Sequence, residues 1–242
     1  WMWHFGRGLV TTPSDFGTRS DPPSHPELLD YLASQFMKNG WSIKQLHRMI
    51  VLSATYQQQS LDHANGKKID PENVLLWKSN RRRLDFESMR DALLRVSGRF
   101  DPTLGGPSTR DILGGNANRR TMYGYLDRLN VPGLYRTFDF PHPDATSPQR
   151  DETTVAPQAL FLMNNVFVRD CATVMLRRPE VLNAKEPSAK VDVLYQLCYG
   201  RSPTMREREI ALAYLSAPNE PGRSWEAFAQ ALMLTNEFVY VD

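Results

Sequence analysis

The chain has 242 residues, which is long enough for one large domain or two small ones. Hydrophobic residues make up 41% and charged residues 23%, proportions that are ordinary for a globular protein and exclude disorder as the main state. The formal net charge of +2 is too small to indicate a nucleic-acid-binding protein, because such proteins concentrate basic residues.

The sequence contains no run of about 20 apolar residues, so we expect no membrane-spanning helix. It opens with the aromatic stretch WMWHFGRGLV and without a secretory signal. Because such an opening is typical of packed structure, we expect the chain to be a fragment of a larger protein. The missing signal in this fragment therefore says little about the cellular location of the parent protein.

The two cysteines, Cys171 and Cys198, form no CxxC pair and no zinc-ligand spacing. Each falls on the apolar side of a predicted helix, where a free thiol packs as a small hydrophobic group. We therefore predict buried free thiols, with a disulfide as the alternative in an oxidising compartment.

The first two predicted helices cover residues 24–40 and 42–59 and should form a hairpin or corner. Ser24 and Ser42 each begin a capping box, with Glu or Gln three residues further on. Gly40 ends the first helix, and one residue separates it from the second cap.

Two further helices are predicted in the next part of the chain. The first covers residues 70–77, with Asp70 as its N-cap and a proline at its first position. The second covers residues 85–98 and ends at Gly98. Its predicted inward-facing residues are Phe86, Met89, Leu93 and Val96.

Residues 99–157 interrupt this helical pattern and are rich in glycine and proline. A long irregular stretch inside a compact chain is usually functional or wraps around the surface. Within it, Tyr123 and Tyr125 alternate with small residues, which predicts a short strand over residues 120–126. We interpret the whole stretch as an irregular central insertion.

The helical pattern returns from Pro157 onwards. One long helix is predicted over residues 157–178, in which Asn164 shares a face with apolar residues. We therefore predict that Asn164 is a buried structural polar residue, hydrogen-bonded to the backbone of the preceding loop. Three more helices are predicted over residues 189–200, 204–217 and 224–238.

Together these segments predict an all-α fold. We expect a single helical domain over residues 1–242, with about seven to nine helices. No internal repeat of fixed period is present, so the sequence does not indicate a solenoid.

Residues 138–152 concentrate the candidate chemistry, with Asp139, His142, Asp144, Arg150 and Asp151 among three prolines. Carboxylate oxygens suit calcium or magnesium, and two carboxylates suit acid–base chemistry on a glycosidic bond. The structural alternative is that Asp139 caps a turn and reaches an arginine or loop amides, while the prolines stiffen an extended segment. We favour a rigid connector over residues 138–157 that is docked on the helices, and we predict no metal site.

Arginines form a second group of candidate ligand-binding residues. Arg119 and Arg120 are adjacent, and Arg150 stands between Asp139 and Asp151 in the sequence. Because arginine makes two-pronged contacts with carboxylates, we favour internal ion pairs. The alternative is a site for an anionic ligand such as a sulfated or uronic sugar.

The histidines do not form a metalloprotease pattern, since no HExxH motif is present. His47 lies at the edge of an apolar helical face, where a structural role is expected. His4 and His63 have no close partner histidine in the sequence. The sequence also contains no G-x-S-x-G motif and no glycine-rich phosphate loop.

Several stretches together resemble a known family. They include FGRGLVTTPSDFG, GWSIKQLHRMIVLSATYQQQS, NRRRLDFESMRDALLRVSG, FDFPHPD, TTVAPQALFLMNN and GRSPT. Across nearly the whole chain and in family order, they resemble the C-terminal domain of unknown function of planctomycete-type cytochrome-c-associated proteins. Members of that family tend to carry an acidic residue at the position of His142, so a function that needed His142 would not be a family function.

The resemblance implies a setting but no reaction, because the family has no established activity. In the parent proteins this domain follows another helical domain, often with a cytochrome-c-like domain further N-terminal and sometimes with a lectin-like domain. The resemblance therefore implies a cell-envelope location, haem c in a neighbouring domain and no cofactor in this chain. It also implies neighbouring domains of the parent chain, and in some cases polysaccharide, as partners.

We predict from these observations a non-catalytic accessory or interaction domain of an extracytoplasmic multidomain protein. We expect it to bind no nucleic acid and to span no membrane. The alternative is a carbohydrate-active or redox-coupled enzyme domain that acts on an anionic glycan through residues 138–152.

Overall fold

The computed structural model of the protein describes residues 1–216 and 221–241, without the side chains of residues 221–224. The chain divides into two compact units, Trp1–Arg82 and Arg83–Val241, which we describe separately. The sequence pattern predicts one domain and indicates no boundary between residues 82 and 83.

The first unit contains four helices. They are α1 (Met2–Phe5), α2 (Pro26–Lys38), α3 (Ile43–Val51) and α4 (Ala64–Ile69). The longest of them, α2, packs against α3 but buries none of its own residues.

The second unit contains most of the helical structure. Its elements are α5 (Phe86–Ser97), the 3₁₀ helix η1 (Thr121–Tyr123), α6 (Gly133–Thr137), α7 (Ala156–Asn164), α8 (Val166–Met175), α9 (Pro179–Asn183), α10 (Pro187–Tyr199), α11 (Met205–Ser216), α12 (Pro221–Leu234) and α13 (Asn236–Val239). A two-stranded sheet of β1 (Arg82–Arg83) and β2 (Tyr240–Val241) completes the regular structure. Beside it, the backbone N–H of Leu84 donates to the carbonyl of Val239 at 2.8 Å.

The core of the second unit is formed mainly by α5, α8 and α12, with α8 packed against the other two. Leu93 of α5, Val168 of α8 and Met233 of α12 are each 0% exposed. Helix α5 forms as predicted: Asp85 caps it by accepting from Ser88 N–H at 2.7 Å, and Gly98 ends it in the left-handed conformation. Its four predicted inward-facing residues are all buried.

The predicted all-α class is confirmed. Helices make up 49% of the chain, above the roughly 30–35% typical of globular proteins. Among the described residues, eight helices have seven or more residues, which agrees with the predicted seven to nine. In residues 99–155, all of which are described, helical structure is limited to η1 and α6, so the irregular insertion is also present.

The first two helices have other bounds in the structure than the predicted residues 24–40 and 42–59. The first begins at Pro26 and is capped by His25 without a side-chain bond, because a residue before proline is driven out of the helical region. Ser24 contacts the ring of His25 at 2.9 Å instead of forming a capping box. The second ends at Val51. Just beyond it, the hydroxyl of Ser53 donates to the carbonyl of Ile50 at 2.7 Å, and this bond competes with the backbone hydrogen bonds that would continue the helix.

Two short predicted elements are wrong. Residues 70–77 form no helix: Asp70 accepts from the N–H groups of Val74 and Leu75 at 3.0 and 2.7 Å and holds a turn, while α4 precedes it. Residues 120–126 form no strand. They contain η1 instead, because Asp91 accepts from both the N–H and the hydroxyl of Thr121 at 2.7 Å.

The prediction for Asn164 is also wrong, because the chain does not form one helix over residues 157–178. Asn165 has an extended backbone, and its side chain caps α8 by accepting from Phe167 N–H at 2.9 Å. This break leaves Asn164 exposed at the last position of α7. The buried residues of α7 are Gln158 and Leu162.

Candidate functional site

We define the connector as residues 138–155, which lead from α6 into α7. At its start Asp139 has a left-handed backbone with φ +58°, a conformation that aspartate adopts more readily than most residues. Its carboxylate accepts from the N–H of Thr153 at 2.8 Å and from the hydroxyl of Thr153 at 2.7 Å. Both ends of the connector are therefore tied together by one carboxylate.

Arg150 joins the connector to the first turn of α5. Its guanidinium donates to both carboxylate oxygens of Glu87, at 2.8 and 3.3 Å, and lies 3.8 Å from Asp85. Its Nε also donates to the carbonyl of Asp139 at 3.0 Å, and the group lies over the ring of Phe140. A two-pronged pair of this kind fixes geometry as well as charge, so it holds the connector in one place.

The aromatic residues on either side of Asp139 face inwards. Phe138 is 3% exposed and packs against Phe86 and Phe161, while Phe140 packs against Tyr135. Strand-like alternation along an extended segment does not account for their placement. Phe138 ends α6, and the left-handed Asp139 turns the chain.

The other two aspartates of the connector are exposed. Asp144 lies 3.9 Å from Arg128 and 3.8 Å from the ring of His142, with all three side chains more than half exposed. Asp151 makes no ion pair or side-chain hydrogen bond within the described part of the chain. These carboxylates do not converge on a cation. No cluster of three or more His, Cys, Asp or Glu residues suited to a metal occurs among the described residues.

The connector lines a polar cavity of about 430 Å³ that is open to solvent, which we call the loop pocket. Asp139, Arg150 and Asp151 line it, together with Arg136 of α6 and His142. Arg136 is exposed and forms no ion pair among the described residues. Three of the six predicted ligand-binding residues are thus brought together, and two of those three are committed to internal contacts.

Arg119 and Arg120 lie away from the loop pocket. Arg119 donates to the carbonyls of Gly105 and Pro107 and stacks on the ring of Tyr123 at 4.1 Å, so it organises the insertion. Arg120 is 45% exposed and lies 3.4 Å from Asp91. It lines a different cavity, of about 460 Å³, beside α5.

Arg90 is a key polar residue that the sequence analysis missed. It is 1% exposed and donates to the carbonyls of Ile112, Ala117 and Arg119 and to the hydroxyl of Thr121. Burial lowers the pKa of this arginine from its ordinary value. The sequence does contain a signal for its burial: Arg90 follows Met89 and lies three and four positions before Leu93 and Leu94, on the apolar side of α5.

In the first unit, His4 has a partner that the sequence did not indicate. Its Nε2 lies 2.7 Å from Nδ1 of His47, and the edge of Tyr56 packs nearby. Burial and the neighbouring His47 lower the pKa of His4. The sequence could not indicate this contact, because residues 43 positions apart meet only in the fold.

Both cysteines are free, as predicted. Cys171 is buried, and burial raises the pKa of its thiol. Cys198 is half-buried, and burial raises the pKa of its thiol to about 12. Burial and a raised pKa both disfavour the thiolate, which is the nucleophilic form of cysteine.

Among the described helices, none is long and apolar enough to cross a membrane. No curated protein and no solved structure matches the sequence significantly. One family model, described as "PSD1: Protein of unknown function (DUF1553)", matches residues 1–215, which is most of the chain. The chain therefore belongs to the PSD1 family of proteins of unknown function (DUF1553).

Proposed function

We propose that this chain is a non-catalytic accessory or interaction domain of an extracytoplasmic multidomain protein. The observation that carries the proposal is that Asp139, the candidate acid–base residue, is already occupied by hydrogen bonds within the chain. Both oxygens of Asp139 accept from Thr153, and Arg150 beside it is occupied by Glu87. Groups held in this way stabilise the connector and are poorly placed to exchange protons with a substrate.

The resemblance to planctomycete-type cytochrome-c-associated proteins supports the setting of this proposal. On that basis the partners are the neighbouring helical domain and a cytochrome-c-like domain of the parent chain. Haem c belongs to the latter domain, and the parent protein resides in the cell envelope.

A second candidate function is action on an anionic glycan through the loop pocket. The observation that favours it is the presence of two uncommitted charges, Arg136 and Asp151, in a cavity of about 430 Å³. Arg136 is able to contact a carboxylate or sulfate of a sugar. Asp151 is the carboxylate that remains free for acid–base chemistry.

The experiment that separates the two candidates measures binding and turnover on the same samples. Uronic and sulfated polysaccharides are tested by affinity electrophoresis and by release of reducing ends. The variants are Arg136→Gln, Asp151→Asn and, as a structural comparison, Asp139→Asn.

We expect no release of reducing ends by the chain or by any variant. Binding that Arg136→Gln weakens, without turnover, remains within the accessory role and identifies a glycan as the partner. Turnover that Asp151→Asn abolishes at an unchanged melting temperature would overturn the non-catalytic proposal.

A further inference from the structure

A second cavity of the second unit lies against the connector and differs in character from the loop pocket. It has a volume of about 220 Å³ and opens between α5, α7, α12 and the end of the chain. Most of its lining is apolar. The principal apolar residues are Met89, Phe138, Val155, Leu162, Leu234 and Val239.

Arg83 supplies the only charged side chain among the described residues that line this cavity. It is partly buried, with its guanidinium 5.8 Å from the centre of the Phe138 ring. Its Nη1 donates to the carbonyl of Thr153 and to Oε1 of Gln158. Those contacts hold the guanidinium at the cavity, but both acceptors are neutral.

The remaining donors of Arg83 are available. Nε and Nη2 donate no hydrogen bond, and the side chain forms no ion pair, within the described residues. Most arginines of this unit that lie against the core do have such partners: Arg150 pairs with Glu87, and Arg178 pairs with Glu180. A partly buried guanidinium with unused donors and no ion pair among the described residues favours an anion, since charge-assisted bonds to a carboxylate are stronger than neutral ones.

We propose that this cavity binds a small apolar carboxylate, with its hydrocarbon part between α5, α7 and α12 and its carboxylate on Nε and Nη2 of Arg83. The size is suitable, because an apolar cavity of about 150 Å³ accommodates a benzene molecule. A cavity of about 220 Å³ therefore suits an unbranched chain of roughly eight carbons. Apolar lining with one convergent polar group is also the usual composition of a small-molecule site.

The proposal is tested with octanoate as the probe and octanamide as its neutral analogue, by isothermal titration calorimetry on the 242-residue chain. We expect octanoate to bind with a dissociation constant below about 1 mM. We expect octanamide to bind at least about tenfold more weakly, because it lacks the charge that Arg83 recognises.

Three variants locate the site. Arg83→Gln keeps a donor for Thr153 and removes the charge, so it should weaken octanoate binding about tenfold or more. Ala159→Phe fills the cavity from the exposed side of α7 without touching the contacts of Arg83, and it should abolish binding. Arg136→Gln removes an arginine from the loop pocket and is the matched control, with binding expected to stay as in the unmodified chain.

The outcomes are distinct even if Arg83→Gln disturbs the connector, because Ala159→Phe leaves Arg83 in place. No binding of octanoate to the unmodified chain would overturn the proposal. So would equal binding of octanamide, or octanoate binding that survives Ala159→Phe or falls only with Arg136→Gln.

Discussion

Helices α5 and α2 have almost the same length and similar apolar patterns, yet they bury very different surfaces. Seven of the 12 residues of α5 are buried, while none of the 13 residues of α2 is. On α2, Leu29 and Met37 are 38% and 54% exposed. The difference teaches that helical periodicity identifies an apolar face but does not say whether anything covers it.

The two regions also differ in how they use charge. In the second unit, Arg201 lies between α10 and α11 and donates hydrogen bonds to both Glu207 and Glu237. On α2, Glu27 and Lys38 form no ion pair with any described residue. We therefore expect stability to depend on residues around α5 and α11 far more than on those of α2.

The largest expected effect is that of shortening a core side chain of α5. Leu93 is 0% exposed, so Leu93→Ala removes buried methyl groups and leaves a cavity. We expect the free energy of unfolding to fall by about 3–5 kcal/mol. Urea unfolding followed by far-UV circular dichroism measures this, and a loss below about 1 kcal/mol would contradict the packing described for α5.

A smaller effect is expected from the charge network, and it depends on pH. Hydrogen bonds from Arg201 lower the pKa of Glu207 from 4.5 to about 2. Because the folded state binds the proton less tightly than the unfolded state, this stabilisation is complete above about pH 4.5 and is lost as the pH falls towards 2. We expect a loss of about 1–2 kcal/mol, less than the full shift implies, since the pair is partly solvated.

Thermal melting at a series of pH values tests this dependence. Glu207→Gln should reduce the loss of stability on acidification. Glu209→Gln is the matched control: its carboxylate pairs with Arg206 at the surface, with both side chains more than half exposed, and the acid dependence should persist. An unchanged acid dependence in Glu207→Gln would exclude the Arg201 network as its source.

The smallest effect is expected on α2. Leu29→Ala shortens a side chain that is 38% exposed, so the free energy of unfolding should change by less than about 0.5 kcal/mol. The same urea titration used for Leu93→Ala gives the comparison directly. A loss above about 2 kcal/mol would mean that the outer face of α2 is covered in solution, and the contrast between α2 and α5 would then be wrong.

The sequence predicted those features whose cause is local. The cap at Ser42 forms at its predicted position. Asp85 and Thr204 likewise cap helices through residues three positions further on, and Glu207 completes a capping box with Thr204. Helix α5 also ends at Gly98 as predicted, because glycine adopts the left-handed conformation at a helix end more readily than other residues. Propensity and spacing are sufficient for such features, since the residues involved are neighbours in the chain.

Features that depend on distant contacts could not be predicted. Three contacts join residues more than 20 positions apart: the pairing of Arg150 with Glu87, the hydrogen bonds that Arg90 donates, and the contact of His4 with His47. The break at Asn165 was missed for a related reason. An asparagine inside an apolar pattern is compatible with a continuous helix and with a cap, and packing decides between them.

The central claim is that Asp139 is structural, and a double-mutant cycle with Thr153 tests it most directly. Asp139→Asn retains a side chain that tolerates the left-handed backbone but removes the charge, while Thr153→Val removes the donating hydroxyl. We predict that Asp139→Asn lowers the free energy of unfolding by about 1–2 kcal/mol and that the two changes are coupled by about 0.5–1 kcal/mol. An unchanged or increased stability of Asp139→Asn, with no coupling to Thr153→Val, would contradict the structural role.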